Sequence, residues 1–330
     1  MHMADALISP AVAGTVGVLS TAAAVYSIKK IKDEEDSKKI PLMGVMSAFV
    51  FAAQMINFTI PGTGSSGHLC GGTLLAALLG PFAGFISMIA ILVIQCLFFA
   101  DGGLLALGCN IWNMAFYSCF FGYFCIYRPI MKNGMTRKKI ILASVLSSVV
   151  SLQLGAFSVV IETILSGVTE LSFLDFIVFM QPIHLAIGLV EGLITAAVLL
   201  FIYETNGSLI SNAKDNKISL KATLVILSVI VVFVAGGVSL IASSNPDGLE
   251  WSIYKVTGEE ELETQGEAYT TSENVQEKTA FLPDYNFKDS ESKIGTSLSG
   301  VSGAAIVAVI AIAICAFVKL FRRKTKLENN

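Results

Sequence analysis

Long uninterrupted runs of apolar residues constrain this chain more than any other feature. Hydrophobic residues make up 54% of its 330 residues and charged residues only 14%, against about 25% charged residues in soluble domains. A membrane-spanning helix needs about 20 consecutive apolar residues. The chain is therefore predicted to be an all-α, polytopic helix bundle in the cell membrane. Its nine apolar segments lie near residues 9–28, 42–58, 69–80, 82–100, 104–127, 140–165, 175–203, 220–242 and 301–318.

The distribution of basic residues predicts the orientation of the bundle. Cytoplasmic loops of membrane proteins are enriched in Lys and Arg. Most of the 22 basic residues lie in four clusters, at 29–39, 128–139, 214–221 and 319–326. All four clusters lie on the same side of the membrane only if the short segment 69–80 also crosses it. We expect this segment to be buried among the neighbouring helices. We therefore expect nine crossings, with the N-terminus outside and the C-terminus in the cytoplasm.

Residues 243–300 differ from the rest of the chain because they are polar and carry twelve acidic residues against four lysines. We expect them to form a large external loop, solvated over much of its length and docked at both ends, where aromatic residues occur. The chain then divides into a seven-helix unit at 1–206, a cytoplasmic linker at 207–219 and a two-helix unit at 220–330 that contains this loop.

Two of the three histidines fall on the predicted outer face. His2 follows Met1, and His68 ends the glycine-rich stretch IPGTGSSGH. The α-amine of Met1, the backbone nitrogen of His2 and its Nδ1 can chelate one ion, and the His68 imidazole would complete a square. Such tetragonal nitrogen sites favour Ni(II) or Cu(II), and binding should weaken at low pH because the ligands must be deprotonated. The alternative is that both histidines are ordinary solvated side chains.

Other polar residues lie within or beside apolar segments, where ionisable groups are often functional. His184 and Glu191 share a helix face, so they form either part of a metal or proton pathway or a His–Glu pair that holds helices together. Asp101, Asn110 and Asn113 either link helices or orient a ligand imidazole.

Several of these stretches carry a resemblance to a known family. MHMADALISP, the loop ending in His68, FADGGLLALGCNIWNM and HLAIGLVEGLIT resemble the substrate-capture subunit of energy-coupling-factor transporters for cobalt and nickel, the CbiM/NikM family, over residues 1–205. Residues 220–330, which include SNPDGLEW, resemble the small companion subunit CbiN/NikN, often fused to the first.

The resemblance implies a metal-binding subunit of an ATP-driven importer that captures Ni(II) or Co(II) outside the cell. It implies a membrane scaffold subunit and two cytoplasmic ATPases as partners, and no nucleic acid. The metal ligands that carry over are Met1, His2 and His68. Asp5 matches a further family position, although Ala4 and Ala6 replace the Pro and Gly found in many relatives. Met1 is expected to be retained because His2 is too large for aminopeptidase.

Two other functions are consistent with the residues. The protein could be an intramembrane metalloenzyme in which zinc is bound by His2, His68 and His184. Three histidine ligands that leave one coordination position open suit catalysis. Glu162, His184 and Glu191 could instead form the proton relay of a secondary metal transporter. The sequence contains no GxxxxGK[ST] run, so we expect a transport subunit that is not itself an enzyme, has no cofactor of its own and depends on partners for ATP hydrolysis.

Overall fold

The computed structural model of the chain describes residues 1–31, 39–210, 217–259, 262, 264–288, 290 and 292–328. Its regular structure is almost entirely helical, which confirms the predicted all-α membrane bundle. In the first part of the chain the helices are α1 Pro10–Ile31, α2 Lys39–Gln54, α3 Gly72–Leu79, α4 Pro81–Phe99, α5 (three successive segments, Leu107–Asn110, π-helical Ile111–Tyr127 and Arg128–Met131), α6 Arg137–Ser166 and α7 Phe173–Asn206. In the second part they are α8 Leu220–Gly236, α9 Gly248–Thr257, α10 Glu267–Thr279 and α11 Lys293–Glu328. Short 3-10 turns occur at Asp5–Leu7, Gly207–Leu209, Val238–Ile241 and Pro283–Tyr285.

Within the described residues, six helical stretches are long and apolar enough to cross a membrane, so the chain is a multi-pass membrane protein. These are Pro10–Ile31, Pro81–Phe99, Arg137–Ser166, Phe173–Leu209, Leu220–Ile241 and Lys293–Ile314. The shorter Ile40–Gln54 is also apolar. The number of crossings and the side on which each terminus lies stay predictions.

The segment expected at 69–80 forms only the eight-residue helix α3. At about 1.5 Å per residue it is about 12 Å long, well short of a bilayer of about 30 Å. Seven of its eight residues are buried, and it packs against α4 and α5. Its polar backbone is therefore enclosed by protein, where short or broken helices are tolerated.

The glycine-rich loop between α2 and α3 contains an antiparallel hairpin that the sequence analysis did not predict. Strands β1, Phe58–Ile60, and β2, Ser65–Gly67, pair with Phe58 opposite Gly67. Gly62 and Gly64 make the turn in the left-handed region, at φ of +79° and +78°, which side chains disfavour. The hairpin ends directly before His68, so it determines where that imidazole lies.

The C-terminal helices α8 and α11 pack against α2. The expected external loop between them is more ordered than predicted, since it contains α9 and α10. The indole of Trp251 donates to the carbonyl of Thr63 at 3.0 Å, and the Tyr269 hydroxyl donates to the carbonyl of Ile8 at 2.9 Å. The loop therefore covers both the hairpin and the start of the chain.

Two regions used in the sequence analysis lie partly outside the described residues. Positions 32–38 belong to the first basic cluster. Positions 211–216 belong to the predicted linker and include one lysine of the third cluster.

Candidate metal centre

The first residues of the chain form a buried arm, defined here as residues 1–9, that runs inward from the start of α1. Met1, Met3, Leu7 and Ile8 are each no more than 5% exposed. Asn110 fixes this arm through its backbone: its Oδ1 accepts from the amide of Met3 at 2.7 Å, and its Nδ2 donates to the Met3 carbonyl at 3.1 Å. These two hydrogen bonds hold the backbone at Met3 beside α5, in the way that two hydrogen bonds hold a residue of a paired β-strand.

Asp5 ties the arm to two further parts of the structure. Its Oδ1 accepts from the amide of Ala106 at 2.9 Å, and its Oδ2 accepts from the hydroxyl of Ser272 in α10. Asp5 therefore positions the arm and lies away from the histidines. The replacement of the flanking Pro and Gly by alanines leaves this anchor in place.

The arm brings the α-amine of Met1 to two side chains that are far away in sequence. Its nitrogen lies 3.1 Å from Nε2 of His68 and forms an ion pair with Oδ2 of Asp247. The same carboxylate oxygen lies 3.8 Å from Nε2 of His68. An amine, an imidazole and a carboxylate thus converge at one point.

The orientation of His68 is determined by the backbone around it. Nδ1 lies 3.1 Å from the carbonyl of Leu69, which favours the tautomer with the proton on Nδ1. The lone pair of Nε2 then faces the amine. Metal-binding histidines commonly use this arrangement, with the other ring nitrogen donating to a backbone carbonyl.

Glu191 fixes the chain directly after His68. Its carboxylate accepts from the amides of Cys70, at 3.0 Å, and Gly71, at 3.2 Å, at the start of α3. Glu191 does not pair with His184, whose Nδ1 lies 2.8 Å from the carbonyl of Met180. The His–Glu pair, one of the two alternatives for these residues, does not form in the structure: the two residues lie about 10 Å apart along α7, and each bonds to backbone instead.

His2 lies against His68, with ring centroids 5.1 Å apart and planes inclined by 18°. Its Nδ1 faces Oδ1 of Asp101 at 3.1 Å, and its Nε2 lies 3.3 Å from Oε1 of Gln95. Tyr285 links these two partners, since its hydroxyl donates to Asp101 and accepts from Nε2 of Gln95. Asp101 therefore contacts the His2 imidazole on one side and the Tyr285 hydroxyl on the other.

The two predicted asparagines have other roles. Asn110 holds the arm, as described above. Asn113 donates to Oε2 of Glu162 at 2.7 Å and lies 3.5 Å from the sulfur of Met3. These contacts join α5 to α6 and to the arm, so Asn113 supports the packing around the site and touches neither His2 nor His68.

A small cavity of about 10 Å³ lies below the amine, which is room for about one water molecule. Met1, His68, Cys70, His184 and Asp247 line it, with apolar residues between them. Nε2 of His184 is buried and has no hydrogen-bond partner among the described residues.

Burial and the neighbouring charges keep the imidazoles neutral. Burial, the Met1 amine and His2 together lower the pKa of His68 to about 3, while Asp247 acts in the opposite direction. Burial also lowers the pKa of His2. For Asp247, burial alone would raise the pKa, but the amine and His68 outweigh it and hold the pKa below its usual range. The site therefore offers neutral nitrogen donors beside a charged carboxylate.

Within the parts of the chain that the structure describes, no three His, Cys, Asp or Glu side chains converge as a metal-binding group. The zinc triad suggested for His2, His68 and His184 is not assembled there. A metal bound at this point must instead use the amine or a backbone nitrogen as well as side chains.

The sequence analysis missed three residues of the site: Asp247, Gln95 and Tyr285. A local signal existed for Asp247, because Asp-Gly-Leu-Glu is a capping-box pattern that predicts a helix beginning there. Nothing local showed that this helix would meet the start of the chain. Gln95 lies within an apolar segment, where its polarity was the only signal.

The comparisons with known proteins agree with this architecture. Residues 2–209 match the CbiM family, described as "Cobalt uptake substrate-specific transmembrane region", and residues 221–320 match the PDGLE domain. This protein is therefore a member of the CbiM family that carries a PDGLE domain in the same chain.

One of the relatives extends over both parts of the chain. The chain is 33% identical over 320 residues to a protein of Archaeoglobus fulgidus named "Putative fused nickel transport protein NikMN", covering 97% of this chain and 99% of that one. It is 33% identical over 218 residues to "Cobalt transport protein CbiM" of Acetoanaerobium sticklandii, covering 63% and 87%. A crystal structure titled a truncated transition metal transporter matches with a TM-score of 0.55 and 34% identity, covering 62% of this chain and 99% of the other.

We expect the imidazole of His68 to stay neutral in the metal-free protein when the pH falls through 6.5, the usual His value, because burial disfavours its charged form. Histidine ¹⁵N NMR of the full chain, assigned with His68→Gln, measures this directly. Asp247→Asn should lower the His68 pKa further, since it removes a neighbouring negative charge. A His68 titration centred near 6.5 would contradict the buried geometry.

Proposed function

We propose that this protein is the metal-binding subunit of an ATP-driven importer of the energy-coupling-factor type, and that it captures Ni(II) or Co(II) at the outer face of the membrane. The observation that carries the proposal is the approach of the Met1 amine to Nε2 of His68, at 3.1 Å, with the His2 ring stacked beside them. The printed names of the relatives, which include nickel and cobalt transport proteins, support both ions as substrates.

The proposed ligands are the Met1 amine, the backbone nitrogen and Nδ1 of His2, and Nε2 of His68. Adjacent amine, amide and imidazole nitrogens form two fused chelate rings, and His68 occupies the fourth corner of the square. Nitrogen ligands in this tetragonal arrangement suit Ni(II). Nδ1 of His2 faces Oδ1 of Asp101 at 3.1 Å, so binding of the ion by this nitrogen would replace that contact.

Loss of the free amine should abolish high-affinity capture, because it removes one ligand and both chelate rings. We expect N-terminal extension by a few residues, His2→Ala and His68→Ala each to weaken Ni(II) binding by more than the roughly 10–100-fold typical of residues that only support a metal ligand. Titration calorimetry on detergent-solubilised, tag-free chain measures this. The matched control carries the same extension at the C-terminus. Equal affinity of the two extended proteins would overturn the proposed ligand set.

We propose that the N-terminus faces outward and the C-terminus the cytoplasm, and that a membrane scaffold subunit and two cytoplasmic ATPases complete the importer. The four basic clusters support this orientation. The resemblance of both parts of the chain to the capture and companion subunits supports the partners.

Uptake is therefore expected to require the partners and ATP. Proteoliposomes containing the chain, the scaffold and both ATPases should accumulate ⁶³Ni only with ATP, whereas capture by the chain alone should not need ATP. An ATPase variant without hydrolysis serves as the control. Uptake by the chain alone that follows a proton gradient would instead favour the secondary transporter.

We propose that the ion moves from the capture site toward His184. Among the residues that the structure describes, nothing hydrogen-bonds to the buried Nε2 of His184, and His184 lines the same cavity as Met1 and His68. Its Nδ1 is held by the carbonyl of Met180, so its free nitrogen is directed as a metal ligand requires. Transition metals accept imidazole nitrogen readily.

His184→Ala should therefore lower ATP-dependent uptake, by roughly tenfold or more, while the affinity of capture stays near that of the unmodified chain. Ile187→Ala is the matched control, because Ile187 lines the same cavity and its truncation removes volume without removing a ligand. An equal loss of uptake in both variants would show that His184 only packs the helix.

A further inference from the structure

Asp247 is held rigidly by the helix that it begins. Its Oδ1 accepts from the amides of Leu249, at 2.7 Å, and Glu250, at 3.0 Å, while the Glu250 carboxylate accepts from the Asp247 amide at 2.8 Å. This capping box uses one carboxylate oxygen to begin α9. It leaves the other oxygen in a defined position.

That second oxygen, Oδ2, points into the metal centre. It contacts the Met1 amine and lies 3.8 Å from Nε2 of His68. The companion part of the chain reaches this point because the backbone beside Asp247 is joined to the hairpin: the amide of Ser66 donates to the carbonyl of Pro246 at 2.8 Å. Asp247 is thus fixed from two sides, by its own helix and by the strand that precedes His68.

Asp247 is also the member of this group that solvent reaches most easily. Its side chain is 13% exposed, against 8% for His68 and 4% for Met1. Asp101, the carboxylate at Nδ1 of His2, is more exposed still, at 24%. A hydrated cation approaching the amine and His68 therefore meets the Asp247 carboxylate, whereas one approaching His2 meets Asp101. Carboxylate oxygens suit harder cations, whereas imidazole nitrogen suits Ni(II).

We propose that Asp247 is the first ligand of the incoming divalent ion, which it passes to the amine and His68 while its Oδ2 stays beside the bound ion. This inference rests on the proposed function of the Met1–His2–His68 centre. It gives the companion part of the chain a direct chemical role in loading the capture part.

The exchange of charges is balanced. In the metal-free state the ammonium of Met1 neutralises Asp247. When the ion binds to the proposed ligands, the ammonium of Met1 and the backbone amide of His2 each release one proton to solvent and their nitrogens become ligands. The divalent ion then replaces the ammonium as the positive partner of the carboxylate. Asp247 therefore has a cationic neighbour before and after loading, which a buried carboxylate requires.

The test is the rate of Ni(II) binding to the untagged full chain, measured by stopped-flow and repeated with Co(II). Asp247→Asn is the informative variant, because asparagine caps a helix as well as aspartate does but carries no charge. We expect the association rate to fall by about tenfold or more, the range in which local charge alters association. Glu273→Gln, a charge-matched change at an exposed position of α10, should leave the rate unchanged.

Fluorescence of Trp251, measured in a Trp112→Phe background, reports whether α9 still docks on the hairpin in each variant.

A normal association rate with faster dissociation in Asp247→Asn would overturn the inference, since Asp247 would then only anchor the arm. If His68→Ala also binds Ni(II) normally, the capture site itself is wrong. If His68→Ala loses binding and Asp247→Asn loads at the normal rate, only the role of Asp247 is wrong.

Discussion

The ion pair between the Met1 amine and Asp247 is the interaction on which the centre depends. A charged amine that is almost completely buried is costly unless a counter-charge accompanies it. Asp247 supplies that charge from a segment more than 240 residues away in the sequence. The amine can therefore stay inside the protein beside His68, where a small ion can reach both nitrogens.

The two parts of the chain complete one another at this point. The CbiM-like part supplies the amine and His68, and the PDGLE part supplies Asp247, together with Tyr285 at Asp101 and Ser272 at Asp5. None of these three contacts is local in sequence. Because both parts belong to one polypeptide, the PDGLE part stays at a high effective concentration near the arm. A few polar contacts are then enough to keep it packed on the arm.

Much of the bundle and part of the centre could be predicted from the sequence, for definite physical reasons. Long apolar segments predict membrane helices without knowledge of their neighbours, and Met1–His2 has its chelating geometry within two residues. The position of Asp247 could not be derived, because its capping pattern predicts a helix start but not what that helix touches. The hairpin before His68 was missed since its short strands have no hydrophobic alternation. The backbone partners of Glu191 could not be derived either, because a shared helix face does not show which side chain turns toward another segment.

The polar side chains inside the bundle explain how a flexible terminus becomes a defined site. Asn110 pairs with both backbone groups of Met3, and Glu191 accepts two amides directly after His68. In a low-dielectric interior such satisfied contacts are strong, and their loss leaves costly unpaired groups. They hold the backbone on either side of the proposed ligands. The proposed capture of an ion would then need loss of protons and a change of partner for the His2 ring, without refolding of the arm that carries it.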